Sequence, residues 1–237
     1  MSAKGQSMWK EWLALFFALP IYLFPVLRYL STGGAFSLHD MFIYTGAICG
    51  AEIIVILLLQ RFWLKEKFAA FNLEPATFWK DLLVGILLGV VTLVLSVVTR
   101  NILAQWMENE TVGSMKDLFE GLRSNPALRI WWLGPLLLIG VGQEELTRAF
   151  TLNRLWKILP SKTGRWAAVL VSALVFAFAH VFEGATGVIW AAIYGGIMAA
   201  YYLRYGRLAP MIVAHYINNA FNFIAILALI EQGIITL

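Results

Sequence analysis

Two adjacent carboxylates and a guanidinium interrupt an apolar stretch of this 237-residue chain. They are Glu144, Glu145 and Arg148, within "IGVGQEELTRAFTL". On an α-helix Arg148 can pair with either carboxylate, because residues three or four apart are neighbours. Adjacent residues differ by about 100° around the helix axis. One carboxylate can therefore be neutralised while the other faces elsewhere and acts as a base. A structural ion pair between packed helices is the alternative interpretation.

Two later segments carry groups that would complete such chemistry. "FAFAH" places Phe176 and His180 on one helical face, and "HYINN" does the same for His215 and Asn219. A carboxylate with an imidazole can activate water, and an imidazole with an amide can stabilise an oxyanion. Together these groups are the ones that peptide-bond hydrolysis needs. Taken singly, each histidine also fits a hydrogen-bonded core position, and the His–Asn pair also fits a contact between helices.

Other hydrolase patterns are missing from the sequence. It has no HExxH or HxxEH zinc motif and no GxSxG nucleophile elbow. The aspartates Asp40, Asp81 and Asp117 all fall near the ends of predicted spans, which argues against an intramembrane aspartyl dyad.

Composition identifies the environment in which these groups act. The chain is 60% apolar and only 14% charged, against about 25% charged residues in soluble domains. We therefore predict an all-α, polytopic transmembrane bundle that forms a single integral-membrane domain over residues 1–237. The formal net charge of +4 is typical of basic cytoplasmic loops, so the bilayer is an expected partner and nucleic acid is not.

Apolar runs long enough to cross a bilayer predict about seven spans. They are residues 11–30, 41–63, 81–103, 130–153, 166–183, 187–204 and 208–230. Placing the N-terminus in the cytoplasm puts most loop Lys and Arg residues on the cytoplasmic side. Counting residues from the span ends places Glu144, His180 and His215 in the middle third of the bilayer, facing one cavity.

Three further features lie outside these motifs. The connection at residues 104–129 contains "SMKDLFEGL", which fits either a short amphipathic helix or an ordinary loop. Glu52 lies within a predicted span and is expected to pair with Arg148 or Arg100, or to be a neutral buried acid. The small-residue run "YGGIMAA" predicts close helix packing.

The three motifs together resemble the CAAX-processing and bacteriocin-processing (CPBP, also called Abi) family of intramembrane proteases. That family has EExxxR on one helix, FxxxH on a later one and HxxxN on another. The order is the same here, and the resemblance covers a core of about residues 134–223. It implies a protease in which a glutamate and His180 activate water, His215 and Asn219 hold the oxyanion, and the second glutamate and Arg148 shape the site. Phe176 belongs to the second motif.

The resemblance also carries expectations about cofactors, substrates and location. No cofactor is favoured, although an older interpretation of the family makes zinc possible, and Glu144, His180 and His215 would then be its ligands. The expected substrate is a membrane-associated peptide or prenylated protein. The expected location is the plasma membrane of a bacterium.

The first motif departs from the family pattern, because it is EExxR here. Aligned on the glutamate pair, Glu144 is catalytic and Glu145 supports it. Aligned on "RAF", Gln143 takes the first position and Glu144 the second. Because glutamine cannot act as a base, the second register predicts a weakened enzyme that serves as a peptide-binding or immunity protein. A small transporter is a further alternative, although no inverted repeat supports it.

Overall fold

The computed structural model describes residues 3–31, 37–73, 75–106 and 116–234, and these ranges contain helices and no strand. The helices are α1 (Ala3–Ser31), α2 (Leu38–Trp63), α3 (Phe78–Leu103), α4 (Lys116–Ser124), α5 (Pro126–Trp131), α6 (Leu137–Ile158), α7 (Lys162–Ala179), α8 (Gly184–Tyr205) and α9 (Ala209–Glu231). The predicted all-α bundle is confirmed.

Six of the described helices are long and apolar enough to cross a membrane: α1, α2, α3, α7, α8 with its preceding turn, and α9. Helix α6 has 22 residues, or about 33 Å, so it is also long enough, but it carries more charge than the other six. With α6, seven of the described helices are long enough to cross a bilayer, close to the prediction. Which end is cytoplasmic stays a prediction of the charge count.

The fourth predicted span, residues 130–153, begins too early. Gly134 leaves helical geometry (φ −89°, ψ −106°) and is followed by Pro135 inside a π-helical turn. Proline removes a helical hydrogen bond and bends the chain. Helix α6 therefore starts at Leu137, after this kink, and continues to Ile158.

Helix α6 is the central helix of the bundle. It packs against α1, α2, α7, α8 and α9, and most of its residues are buried. Apart from Lys157, the charged side chains of α6 are buried or half-buried. Burial among helices rather than in lipid lets most of these charges find a partner, which removes much of the cost of placing them at membrane depth.

One end of α6 is fixed by a network of ion pairs. Arg154, 1% exposed, lies 2.8 Å from Glu11 of α1 and 2.5 Å from Glu66, which follows α2. Lys157 also bonds to Glu66. Partial burial alone would raise the pKa of Glu66, but the hydrogen bonds from Arg154 and Lys157 outweigh it and lower that pKa below its usual value. The network ties α6 to its neighbours on two sides.

The connection before α6 forms a helical cover rather than an ordinary loop. Helix α4 buries Leu118, Phe119 and Leu122 against an apolar cluster that includes Trp132 and Leu227. The amphipathic pattern therefore predicts this helix correctly, but its apolar face packs on the protein. Residues 114 and 115 of the predicted helix lie outside the described residues.

Glycines set the closest helix contacts. A Cβ atom at Gly85 of α3 would lie 2.6 Å from Cβ of Val213 and 2.9 Å from the carbonyl oxygen of Pro210, both on α9. At Gly195 of α8, a Cβ would lie 3.1 Å from the Phe176 ring of α7. Small residues let helices approach closely in membranes, as "YGGIMAA" predicts for α8.

Substituting Gly85→Ala is expected to lower the thermal stability of the detergent-solubilised protein. The new methyl group must push α9 away from α3, and overpacking of this kind costs about 1–3 kcal/mol. Gly50→Ala is the matched control, because a Cβ there meets nothing within 4 Å. The measurement is the Tm of both variants. Equal Tm values would show that the α3–α9 contact tolerates expansion.

Candidate active site

Three elements bring one carboxylate and two imidazoles to a single cavity. Oε1 of Glu144 on α6 lies 3.9 Å from Nε2 of His180, and its Oε2 lies 3.4 Å from Nε2 of His215 on α9. The cavity of about 380 Å³ is lined by all three residues and by Asn219. The three side chains predicted to share a site therefore do not face separate surfaces.

Glu144 is the available carboxylate of the adjacent pair. Its side chain is 23% exposed. Its Oε2 accepts no hydrogen bond from the described part of the chain. A carboxylate with free lone pairs beside a cavity can accept a proton from a bound water.

Glu145 has a different environment. Its side chain is fully buried and accepts hydrogen bonds from Nη1 of Arg148 at 2.6 and 2.7 Å. Nδ1 of His215 lies 2.8 Å from the same carboxylate. The division of labour between the two glutamates that the sequence suggests is thus present in the geometry: one is paired and the other is open.

The two histidine rings are oriented by what their Nδ1 atoms contact. Nδ1 of His180 lies 2.8 Å from the carbonyl oxygen of Phe176, which can only accept, so Nδ1 must carry a proton. Nδ1 of His215 must likewise carry a proton, because it faces the Glu145 carboxylate, which can only accept. Each neutral ring therefore presents an unprotonated Nε2 toward Glu144. For His215 to donate from Nε2 as well, the ring must carry both protons.

Phe176 links the second motif to the first. The guanidinium carbon of Arg148 sits 4.2 Å from the centre of the Phe176 ring, a cation–π contact. The same ring lies 4.3 Å from the His180 ring, centre to centre. Phe176 thus packs between the arginine that neutralises Glu145 and the histidine that faces Glu144.

The two asparagines of "HYINN" have different partners. Asn219 is partly buried and lines the cavity, one helical turn after His215. Asn218 is 2% exposed and donates to Thr92 of α3 at 3.2 Å. Both asparagines line the cavity, but the Asn218 amide is engaged with Thr92, so Asn219, the one predicted from the motif spacing, is the amide proposed to contact a ligand beside His215.

Gln143 does not line the cavity. It is 4% exposed, and its Nε2 donates to Oε2 of Glu52 on α2 at 2.5 Å. The prediction that Glu52 pairs with an arginine is wrong. Arg148 binds Glu145, and Arg100 lies 3.5 Å from Glu183. The hydrogen bonds to Glu52 come from the neutral side chains of Gln143 and Thr147, an environment compatible with the other alternative, a neutral buried acid.

His180 also lies elsewhere along its span than expected. Helix α7 ends at Ala179, and His180 is its C-terminal cap (φ −105°, ψ 18°) rather than a mid-helix residue. A 3₁₀ turn at Val181–Glu183 follows, and Gly184 then adopts a positive φ of 72°. The predicted span 166–183 thus combines a helix with the turn after it, and the turn exposes His180 to the cavity.

Tyr194 of α8 is a site neighbour that sequence reasoning missed. It is 3% exposed, it lines the cavity, and its ring lies 4.8 Å from that of His215 and 5.8 Å from the guanidinium carbon of Arg148. Its position within "YGGIMAA" indicated helix packing only. A buried tyrosine in an apolar helix gives no sequence signal that separates a site wall from the core.

Comparison with known families gives one match. Residues 125–221 match the model described as "Type II CAAX prenyl endopeptidase Rce1-like", and this segment contains all three motifs. No curated protein and no solved structure matched the chain. The resemblance inferred from the motifs is therefore confirmed for residues 125–221, which are similar to the Rce1-like CAAX proteases of the CPBP family.

Proposed function

We propose that this protein is an intramembrane endopeptidase in which Glu144 and His180 activate the attacking water. The family that residues 125–221 match is a protease family, which supports endopeptidase activity in general. The observation that carries the proposal is the open carboxylate of Glu144, within 3.9 Å of two imidazole Nε2 atoms, beside a Glu145 that Arg148 neutralises. This arrangement leaves one base free at the cavity.

The proposed reaction follows from the donors and acceptors present. A water bound between Glu144 and His180 gives one proton to the Glu144 carboxylate and directs its other hydrogen to Nε2 of His180. Its oxygen attacks the substrate carbonyl, whose oxygen becomes an oxyanion. Glu144 then returns the proton to the leaving amine as the C–N bond breaks. General acid–base catalysis of this kind contributes about 10²–10⁴-fold.

The oxyanion would be held from α9. Asn219 offers an amide N–H, and His215 offers Nε2–H when its ring carries both protons. Glu144 lies 3.4 Å from Nε2 of that ring and Glu145 lies 2.8 Å from its Nδ1. Such preorganised donors stabilise the developing charge and are each worth about 2.7–4 kcal/mol in known hydrolases.

The donor types at the site are also those of a zinc centre, although within the described residues no group of three His, Cys, Asp or Glu side chains is arranged to hold a metal ion. A carboxylate with two imidazoles is an accepted zinc donor set, and Nδ1–H groups held by Phe176 and Glu145 resemble the outer contacts of metal-bound histidines. Glu144, His180 and His215 would be the ligands, and zinc would supply Lewis-acid activation of water. The metal-free reaction is the one proposed, and chelation separates the two.

The proposed substrate is a peptide segment of a membrane-associated or prenylated protein. The family description names CAAX prenyl endopeptidases, and the cavity combines the polar site with an apolar wall that includes Phe119, Trp132 and Phe223. Such a wall suits a lipid chain or apolar side chains beside the cleaved bond. The plasma membrane of a bacterium is the proposed location.

A catalytically weakened peptide binder or immunity protein is the alternative that Gln143 favoured. Gln143 contacts Glu52 of α2 and Glu144 lines the cavity, which supports Glu144 rather than Gln143 as the proposed base. The presence of Gln143 is therefore weaker evidence against catalysis than the sequence alone suggests. No described contact favours a transporter.

Glu144→Gln is expected to abolish cleavage of a broad peptide library by purified protein in liposomes. The amide keeps the shape but cannot take a proton, so the rate should fall by about 10²–10⁴-fold with little change in Tm. Glu120→Gln in the exposed part of α4 is the matched control and should cleave like wild type. A zinc chelator should leave wild-type activity intact.

Two results would contradict this assignment. Full activity in Glu144→Gln would remove Glu144 as the base. Loss of wild-type activity with chelator, restored by added zinc, would replace the metal-free reaction with zinc chemistry at the same residues.

Glu145→Gln is expected to damage folding as well as activity. It leaves the Arg148 guanidinium, whose side chain is 2% exposed, without a counter-charge, and breaking a buried pair costs about 3–5 kcal/mol. The measurement is the Tm of the Glu145→Gln and Glu144→Gln proteins in detergent, which should be lower for Glu145→Gln. A Glu145→Gln protein as stable as wild type would show that the Arg148 pair does not hold the site.

A further inference from the structure

A second buried acid lies directly behind the site. Glu52 of α2 is 1% exposed. Its Oε2 accepts from Nε2 of Gln143 at 2.5 Å and its Oε1 from Oγ1 of Thr147 at 2.8 Å. Both oxygens of this carboxyl group are thus used in contacts to α6, and the proposed reaction assigns it no role.

The two donors lie one turn apart on α6, on the face turned toward α2. Gln143 also approaches Thr147 at 3.4 Å. Two contacts at positions i and i+4 resist rotation of α6 about its axis more than a single contact would. Glu144 lies about 100° around the helix from Gln143, which is the direction of the cavity.

We propose that Glu52 is a positioning residue for the reaction at Glu144, and that Gln143 is its required partner. By accepting from Gln143 and Thr147, Glu52 fixes the rotation of α6 so that Glu144, not residue 143, faces His180 and His215. This inference rests on the proposed function. It gives a reason for the glutamine next to the catalytic pair: an amide can donate to Glu52, whereas a carboxylate there cannot.

A glutamate at position 143 would place two carboxyl groups in contact. At the 2.5 Å that separates Gln143 from Glu52, two carboxylates cannot both stay ionised. One must take a proton or the helices must separate, which would turn or shift α6. Displacements of about 1 Å at an active site cost on the order of 10²-fold in rate.

The test exchanges the two side chains. Wild type, Gln143→Glu, Glu52→Gln and the double variant Glu52→Gln/Gln143→Glu are compared by thermal unfolding in detergent and by kcat and KM on a library peptide that wild type cleaves. The double variant restores an acid–amide pair with the partners reversed. Glu144→Gln serves as the inactive reference.

Gln143→Glu is expected to lower kcat by about 10–100-fold, with KM within about twofold because residue 143 does not line the cavity. Its Tm should fall by about 5 °C. The double variant should recover most of the loss in kcat and most of the loss in Tm. Thr147→Ser, which keeps the hydroxyl, should retain more activity than Thr147→Val.

Higher activity in Gln143→Glu alone, or a double variant no better than the worse single variant, would overturn the proposal. Recovery of Tm without recovery of kcat would reduce the cluster to a packing contact and would also overturn it. If wild type cleaves no peptide, the proposed function fails instead. The double-mutant cycle of unfolding measurements then tests the contact between residues 52 and 143 without any activity assay. Absence of coupling between the two substitutions would reject the proposed pairing.

Discussion

The arrangement of this protein depends on one constraint: the buried charges on α6, apart from Glu144 at the cavity, must find partners inside the bundle. An unpaired charge is costly at membrane depth, and α6 carries several. Arg148 pairs with Glu145, and Arg154 pairs with Glu11 and Glu66. The first pair lies within α6, and the second joins α6 to α1 and to the segment after α2, so the central position of this helix supplies partners for Arg154 that α6 itself lacks.

Glu144 differs from the other acids of α6 and its surroundings. The hydrogen-bond partners of Glu145 are a guanidinium and an imidazole, and those of Glu52 are an amide and a hydroxyl. Glu144 faces two histidines at 3.4 and 3.9 Å across a cavity. Neighbouring helices thus occupy the other polar faces of α6 and leave one carboxylate free. That contrast between three buried or half-buried acids, rather than any single residue, is the basis of the proposed chemistry.

The surrounding packing serves the same geometry. Gly85 lets α9, with His215 and Asn219, approach α3, and Gly195 lets α8 approach the Phe176 ring. The end of α7 at Ala179 and the turn after it place His180 at the cavity rather than inside a continuous helix. Close helix contacts and one helix terminus therefore position groups that are distant in the chain.

Much of this followed from the sequence alone. Apolar runs predict the bundle, and the spacing of Phe176 and His180, and of His215 and Asn219, predicts which residues share a helical face, because helical periodicity is local. The sequence could not decide whether Gln143 or Glu144 faces the cavity, nor find the partner of Glu52. A one-residue difference in register rotates a helix face by about 100°, and only the packing of α2, α7 and α9 around α6 selects the rotation. The sequence also could not identify Tyr194 as part of the cavity wall, because its neighbours at the site come from other helices.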